Sequence, residues 1–166
     1  MKGIQELIDN FIERIGYLIG FMVVIMVFLV ILTLFLRYFL NIGSVALQES
    51  IMYLHAIFFM FGISFAIKEN AHVKIDILSN KFSARRKNLV FIMGIIFFMI
   101  PFALFVIFIS TDMVINSWSV MEQSSEAGGL NLVYLLKSII PLTGLLIFFQ
   151  SISELIKNIT SFLNEY

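Results

Sequence analysis

No cysteine occurs in the 166 residues, so disulfides, thiolate metal sites and thiol redox chemistry are excluded. Charge is almost as scarce: Asp, Glu, Lys and Arg make up 13 % of the chain, against about 25 % in ordinary soluble domains. The 11 basic and 11 acidic side chains cancel, which removes any overall electrostatic bias toward nucleic acid or an acidic partner. There are two prolines and two histidines. No Pro/Gly-rich linker divides the chain and no internal repeat is visible, so residues 1–166 read as a single domain.

What fills the sequence instead is apolar. Hydrophobic residues account for 60 % of it, with 19 Phe, and the mean hydropathy of +1.00 leaves too few polar residues to coat a water-exposed surface. A hydrocarbon core about 30 Å thick takes about 20 apolar residues as helix. Four such spans are expected, at about 15–36, 50–67, 89–109 and 130–149. The fold class expected is therefore an all-α integral membrane protein of four transmembrane helices.

The connections give the orientation. Between the second and third spans stand Lys68, Lys74, Lys81, Arg85, Arg86 and Lys87. The connection at 110–129 carries Asp112, Glu122 and Glu126 but no Lys or Arg. Short loops rich in Lys and Arg stay in the cytoplasm, so the basic loop 68–88 is expected inside and 110–129 outside. With an even number of spans both termini are then cytoplasmic, and Lys2, Arg14 and Lys157 agree. The first apolar run is longer than the core of a secretion signal, about 7–15 residues, and no small-residue cleavage site follows it before Arg37.

Both ends are amphipathic at helical spacing. Ile4, Leu7, Ile8, Phe11, Ile12 and Ile15 oppose Glu6, Asp9, Glu13 and Arg14, and Ile152, Leu155, Ile156, Ile159 and Leu163 oppose Glu154 and Lys157. Each end reads either as a helix lying in the membrane interface or as the continuation of its neighbouring span.

Polar groups near the bilayer midplane are costly and usually functional, and here they are few. The first span has Thr33, the second His55, and the third no ionisable residue. His55 and His72 stand about 17 residues, or about 25 Å of helix, apart, too far to share a haem within the chain. No cofactor or metal is expected. Lys137 lies a turn or two inside the fourth span. It either snorkels to the headgroups or pairs with Asp112, Glu49 or a carboxylate of another subunit, because an unpaired Lys at the helix centre costs about 2.5–3.5 kcal/mol. Gly16 with Gly20, and Gly62 with Ala66, place small residues four apart, the spacing that lets helices approach closely.

The stretch from Arg37 to Ser83 is more specific. It reads Arg37-Tyr38-Phe39-Leu40-Asn41, then Gln48-Glu49 and Tyr53 at the head of the second span, then His72-Val73-Lys74-Ile75-Asp76 beyond its end. Arg37 and Tyr38 suit the outer interface as a phosphate-reaching cation and an aromatic anchor. Glu49 stands at the same level and could pair with Arg37. Ser44 or Ser50 could cap the following helix. His72 and Asp76 share a face if the helix continues there.

In order and spacing these motifs, with Leu130-Asn131-Leu132, Tyr134 and Ile140-Pro141-Leu142 near the fourth span, resemble the small membrane subunit (DctQ type) of tripartite ATP-independent periplasmic, or TRAP, transporters. That resemblance implies a non-catalytic subunit of the bacterial inner membrane, working with a large membrane subunit and a periplasmic substrate-binding protein. The large subunit would move an organic acid inward on a sodium gradient by an elevator motion, the solute being a C4-dicarboxylate, a sialic acid or a similar carboxylate. The small subunit would steady the large one and help dock the binding protein. On this reading Arg37, Tyr38, Asn41, Glu49, Tyr53, His72, Asp76 and Lys137 are interface or anchoring residues, and membrane lipids are the other partner. The alternatives are a stand-alone four-helix carrier or channel, relying on His55 and Lys137, and a membrane enzyme, for which no acid/base cluster is visible.

Overall fold

The computed structural model describes residues 2–71 and 84–164. Four helices long and apolar enough to cross a membrane account for nearly all of them. They are α1 (Lys2–Phe39), α2 (Val45–Lys68), a rod made of α3 (Ala84–Gly94) and α4 (Ile100–Ser119), and α5 (Val133–Asn164). With no water in the hydrocarbon to bond a free N–H or C=O, a run of Ile, Val, Leu and Phe must close its hydrogen bonds internally. Residues that would favour a strand in water are therefore helical here.

The helices outrun the apolar spans. α1 has 38 residues and α5 has 32, about 57 and 48 Å at 1.5 Å per residue, against a hydrocarbon layer of about 30 Å. The amphipathic ends are thus continuous with their spans. The connection expected from residue 110 begins as helix, because α4 runs on to Ser119, leaving 120–132 as the non-helical segment.

The stops have local causes. α1 ends where Asn41 takes a left-handed φ of 51° and the Ile42 N–H turns back to the Leu36 carbonyl at 3.0 Å. This is the Schellman pattern, and Asn is among the few non-glycine residues that enter that region readily. Ser44 then caps α2 by accepting from the Leu47 N–H at 3.3 Å, while Ser50 donates to the Ala46 carbonyl within the helix. Between α3 and α4 a π-helical turn covers Ile95–Met99, with the Ile100 N–H bonded to the Ile95 carbonyl. Pro101 follows at once. Its ring has no N–H and crowds the carbonyl four residues back, and widening the preceding turn relieves that crowding.

Packing is organised around α5. α1 and α2 form a hairpin that rests on one side of it, and the α3–α4 rod rests on another. The most apolar window of the chain, in α1, is only 6 % buried, whereas the least apolar, in α5, is 44 % buried. This inverts the soluble pattern: polar side chains lie inside and the apolar ones face outward. Thr143, Gln150, Ser151 and Ser153 of α5 are all buried, with Ser64, Ser110 and Ser117 opposite. The apolar centre gathers Ile8, Ile12 and Leu146, with Ile15, Phe61, Phe65 and Ile152 around them.

Close approach depends on small residues. A Cβ on Gly144 would lie 2.8 Å from Ile107 Cγ1 and 3.1 Å from the Ala103 carbonyl oxygen, and Ala103 itself is fully buried. α4 and α5 therefore touch through backbone at this level. On the hairpin side a Cβ on Gly16 would run into the Phe65 ring, and one on Gly62 would meet Ile19 at an ordinary 3.8 Å. Ala66 is half-buried. Gly20 is exposed and meets nothing within 4 Å, so it makes no close helix contact among the described residues.

Gly144→Leu is expected to lower stability by about 1–3 kcal/mol, the usual range for overpacking, because backbone cannot move aside as a side chain can. Gly20→Leu should fall within about 0.5 kcal/mol of the parent, as surface changes do. Thermal unfolding of both variants in one detergent distinguishes them, and equal midpoints would show that α4 and α5 do not meet through Gly144.

Candidate functional site

The polar side chains that do more than satisfy their own helix collect at the two ends of the molecule. At the end formed by the α1–α2 turn and segment 120–132, Glu49 is the hub. Its carboxylate accepts from the Ser124 hydroxyl and from the Leu130 N–H. The segment also closes on itself: the Ser124 N–H reaches the Leu130 carbonyl at 3.1 Å and the Gly129 N–H reaches Glu126 at 3.0 Å. Gly128 has a φ of 78°, and a Cβ on Gly129 would stand 2.8 Å from Glu49 Oε1. The Gly-Gly pair thus supplies both the turn and the room for a carboxylate. Tyr53 is half-buried one turn below Glu49 on α2.

Lys137 is paired within the chain, with Glu122. The carboxylates weighed from sequence were Asp112, Glu49 and one on another subunit, and the structure selects a different one. α4 carries on to Ser119 and turns at Met121 (φ 46°), which swings Glu122 back over the head of α5. The Lys137 ammonium holds the Glu122 carboxyl below its ordinary range. Beside this pair the Trp118 Nε1–H donates to Ser138 Oγ at 2.8 Å, and the Trp118 ring meets Tyr134 edge-on at 4.7 Å. Trp and Tyr are suited to this level, where one end of the ring is dry and the other wet.

Arg37 and Glu49 do not pair. Glu49 is engaged with segment 120–132, and Arg37, Tyr38 and Asn41 are exposed around an open recess of about 730 Å³ that also includes Ser44 and Gln48. Asn41 has the backbone role of stopping α1. His55 is exposed and stacks on Phe59 at 6.4 Å. His72 and Asp76 lie outside the described residues.

At the opposite end the helices are tied by charge. Asp9 of α1 accepts from Ser153 at 2.6 Å and from Gln150 at 3.4 Å, and pairs with Lys157 at 3.2 Å. Lys157 also holds Glu154 at 2.7 Å. The side chains of Asp9 and Glu154 are 16 % and 13 % exposed, so these bonds form in a partly dry setting where charge-assisted contacts gain strength. Lys68 at the end of α2 bridges to Glu13 at 2.9 Å. Sequence periodicity identified Asp9, Glu13, Glu154 and Lys157 as the polar faces of two amphipathic ends. It had no signal that these faces meet each other.

Between the two ends four buried hydroxyls are bonded inside their own helices: Thr143 to the Ile139 carbonyl, Ser151 to Ile147, Ser110 to Val106 and Ser64 to Phe61. A hydroxyl engaged this way adds no unsatisfied group to the membrane interior, and it offers a solute little. Chemically, the arrangement fastens helices together.

Glu49→Ala should release segment 120–132 while leaving the helices in place. Amide exchange at Leu130 is expected to rise about tenfold or more, since a hydrogen bond to a charged group contributes about 1.5–3 kcal/mol. Gly129→Ala should have a similar effect, and unchanged exchange in both variants would show that Glu49 does not hold the segment.

The model of the family described as tripartite ATP-independent periplasmic transporters, DctQ component, matches residues 16–161, from the start of the α1 span to the last turn of α5. No curated protein and no solved structure matches the chain. The match covers all four spans, the Glu49 hub and the Lys137–Glu122 pair. The chain belongs to the DctQ family: it is a small, non-catalytic membrane subunit of the TRAP transporter type.

Proposed function

We propose that the chain is the stationary scaffold of a sodium-driven TRAP transporter for an organic acid such as a C4-dicarboxylate or a sialic acid. It binds a large, elevator-type membrane subunit through its apolar helix faces and helps the periplasmic binding protein to dock. The observation that carries this reading is how the polar groups are used. Asp9, Ser153 and Lys157 close bonds between helices, and Thr143, Ser151, Ser110 and Ser64 close bonds within them, whereas Phe21, Phe28 and Phe35 of α1 and Phe102, Phe105 and Phe108 of α4 stand exposed. Such faces offer wide contact to lipid or to another membrane protein.

The orientation proposed puts both termini and the basic loop 68–88 in the cytoplasm of a bacterium and segment 120–132 in the periplasm. The Lys and Arg bias supports it. Glu49 then presents segment 120–132 on the side from which a binding protein approaches. Arg37, Tyr38 and Asn41 anchor the outer turn, and His72 and Asp76 serve the cytoplasmic side.

Affinity purification of the tagged chain from its native membrane in mild detergent should recover a much larger multispan protein in constant ratio. Recovery of the chain alone, or only as a homo-oligomer, would favour a stand-alone carrier. Because the chain has no cysteine, its topology can be read from single substitutions. A membrane-impermeant thiol reagent applied to spheroplasts should label Ser125→Cys and spare Ser161→Cys; the reverse pattern would invert the orientation.

A further inference from the structure

Among the described residues two basic side chains lie at the end of the molecule that carries segment 120–132, Arg37 and Lys137. Lys137 is engaged by Glu122. The carboxylate at the level of Arg37, Glu49, is engaged by Ser124 and Leu130. Among the described residues Arg37 therefore makes no ion pair. It lines the open recess of about 730 Å³ with Tyr38, Asn41, Ser44 and Gln48, all uncharged groups able to hydrogen-bond. Ser44 also caps α2, so the positive end of that helix adds to the guanidinium at the same recess.

The surroundings are those of an amphiphile. Along the face of α1 that carries Arg37, toward the middle of the span, Leu34 and Val30 are exposed, and Phe39, Leu40 and Ile42 are exposed around the turn. The site offers a cation and hydroxyl and amide groups at one level, with a bare apolar wall beside them.

We propose that this recess is a binding site for an anionic phospholipid. The phosphodiester is taken by Arg37, whose fork of donors fits phosphate oxygens, and the headgroup is met by Asn41 and Gln48. The acyl chains lie along Leu34 and Val30. A soluble phosphate would use the same cation but not the wall, and its affinity would be correspondingly lower. The inference requires only that α1 crosses the membrane, and it stands whichever solute the transporter carries.

The test is native mass spectrometry of the purified full chain titrated with phosphatidylglycerol and, separately, with phosphatidylcholine. Phosphatidylglycerol should be retained at least about fivefold better, and Arg37→Gln should abolish that preference. Arg37→Lys, which keeps the charge and loses the fork, should retain part of it. Arg14→Gln, at the other end of α1, should leave it unchanged. Glycerol phosphate in millimolar excess should fail to displace the lipid. Equal retention of the two lipids by the parent chain, or an unaltered preference in Arg37→Gln, would overturn the proposal. So would an equal loss in Arg14→Gln, which would mark diffuse charge attraction, and displacement by glycerol phosphate would overturn the lipid assignment in favour of a phosphate site. The parent chain and Arg37→Lys decide the matter even if Arg37→Gln does not fold.

Discussion

The packing of α5 against the other helices is the interaction on which the rest of the molecule depends. The α1–α2 hairpin and the α3–α4 rod are both held chiefly by this one helix, and the two fastenings differ in kind. Toward α4, Gly144 lets the backbones meet at Ala103, a dispersion contact that needs close approach because lipid offers no hydrophobic force between helices. Toward α1, Asp9 engages Ser153, Gln150 and Lys157, a contact of charge and hydrogen bonds placed where the helices leave the apolar layer. Neither fastening would hold a soluble bundle alone. Together they explain why the least apolar of the four spans is the most buried.

The two ends of the molecule follow from that arrangement. Once α5 fixes α1 and α2 on one side and α4 on another, the turn at 40–44 and segment 120–132 arrive at the same end, and Glu49 can bond across to Leu130. A carboxylate accepting a backbone N–H and a hydroxyl is a stronger clasp than two neutral groups would make. It keeps segment 120–132 in one shape above the membrane. The Lys137–Glu122 pair and the Trp118–Ser138 bond do the same at the head of α5. A subunit with a fixed surface at one end and wide apolar flanks suits assembly with another membrane protein.

Much of the fold was legible in the sequence, because hydropathy and the scarcity of charge act residue by residue. The four spans, and the resemblance carried by Arg37, Asn41, Glu49 and the residues near Tyr134, depend on local patterns that survive in one dimension. Less legible was anything that requires knowing which helix lies beside which. The motif Gly16-x-x-x-Gly20 stood out by spacing, yet Gly16 lies against Phe65 and Gly20 faces open space. Gly144, with no small residue four positions away to mark it, is the one that brings backbone against backbone. Lys137 read either as snorkelling to the headgroups or as paired with a carboxylate, and Glu122 was hidden as its partner by the extra turns of α4, which hydropathy does not register. Asn41 was grouped with interface residues, and its position is explained by the left-handed backbone that ends α1.

The central claim is that this subunit holds a transporter together without carrying solute itself, and reconstitution tests it most directly. The purified chain in liposomes, under an inward sodium gradient with labelled organic acids outside, is predicted to give uptake no greater than empty liposomes. Adding the co-purifying large subunit and a solute-loaded binding protein should give sodium-dependent uptake. Solute movement by the chain alone, lost on substitution of His55 or Lys137, would contradict the account.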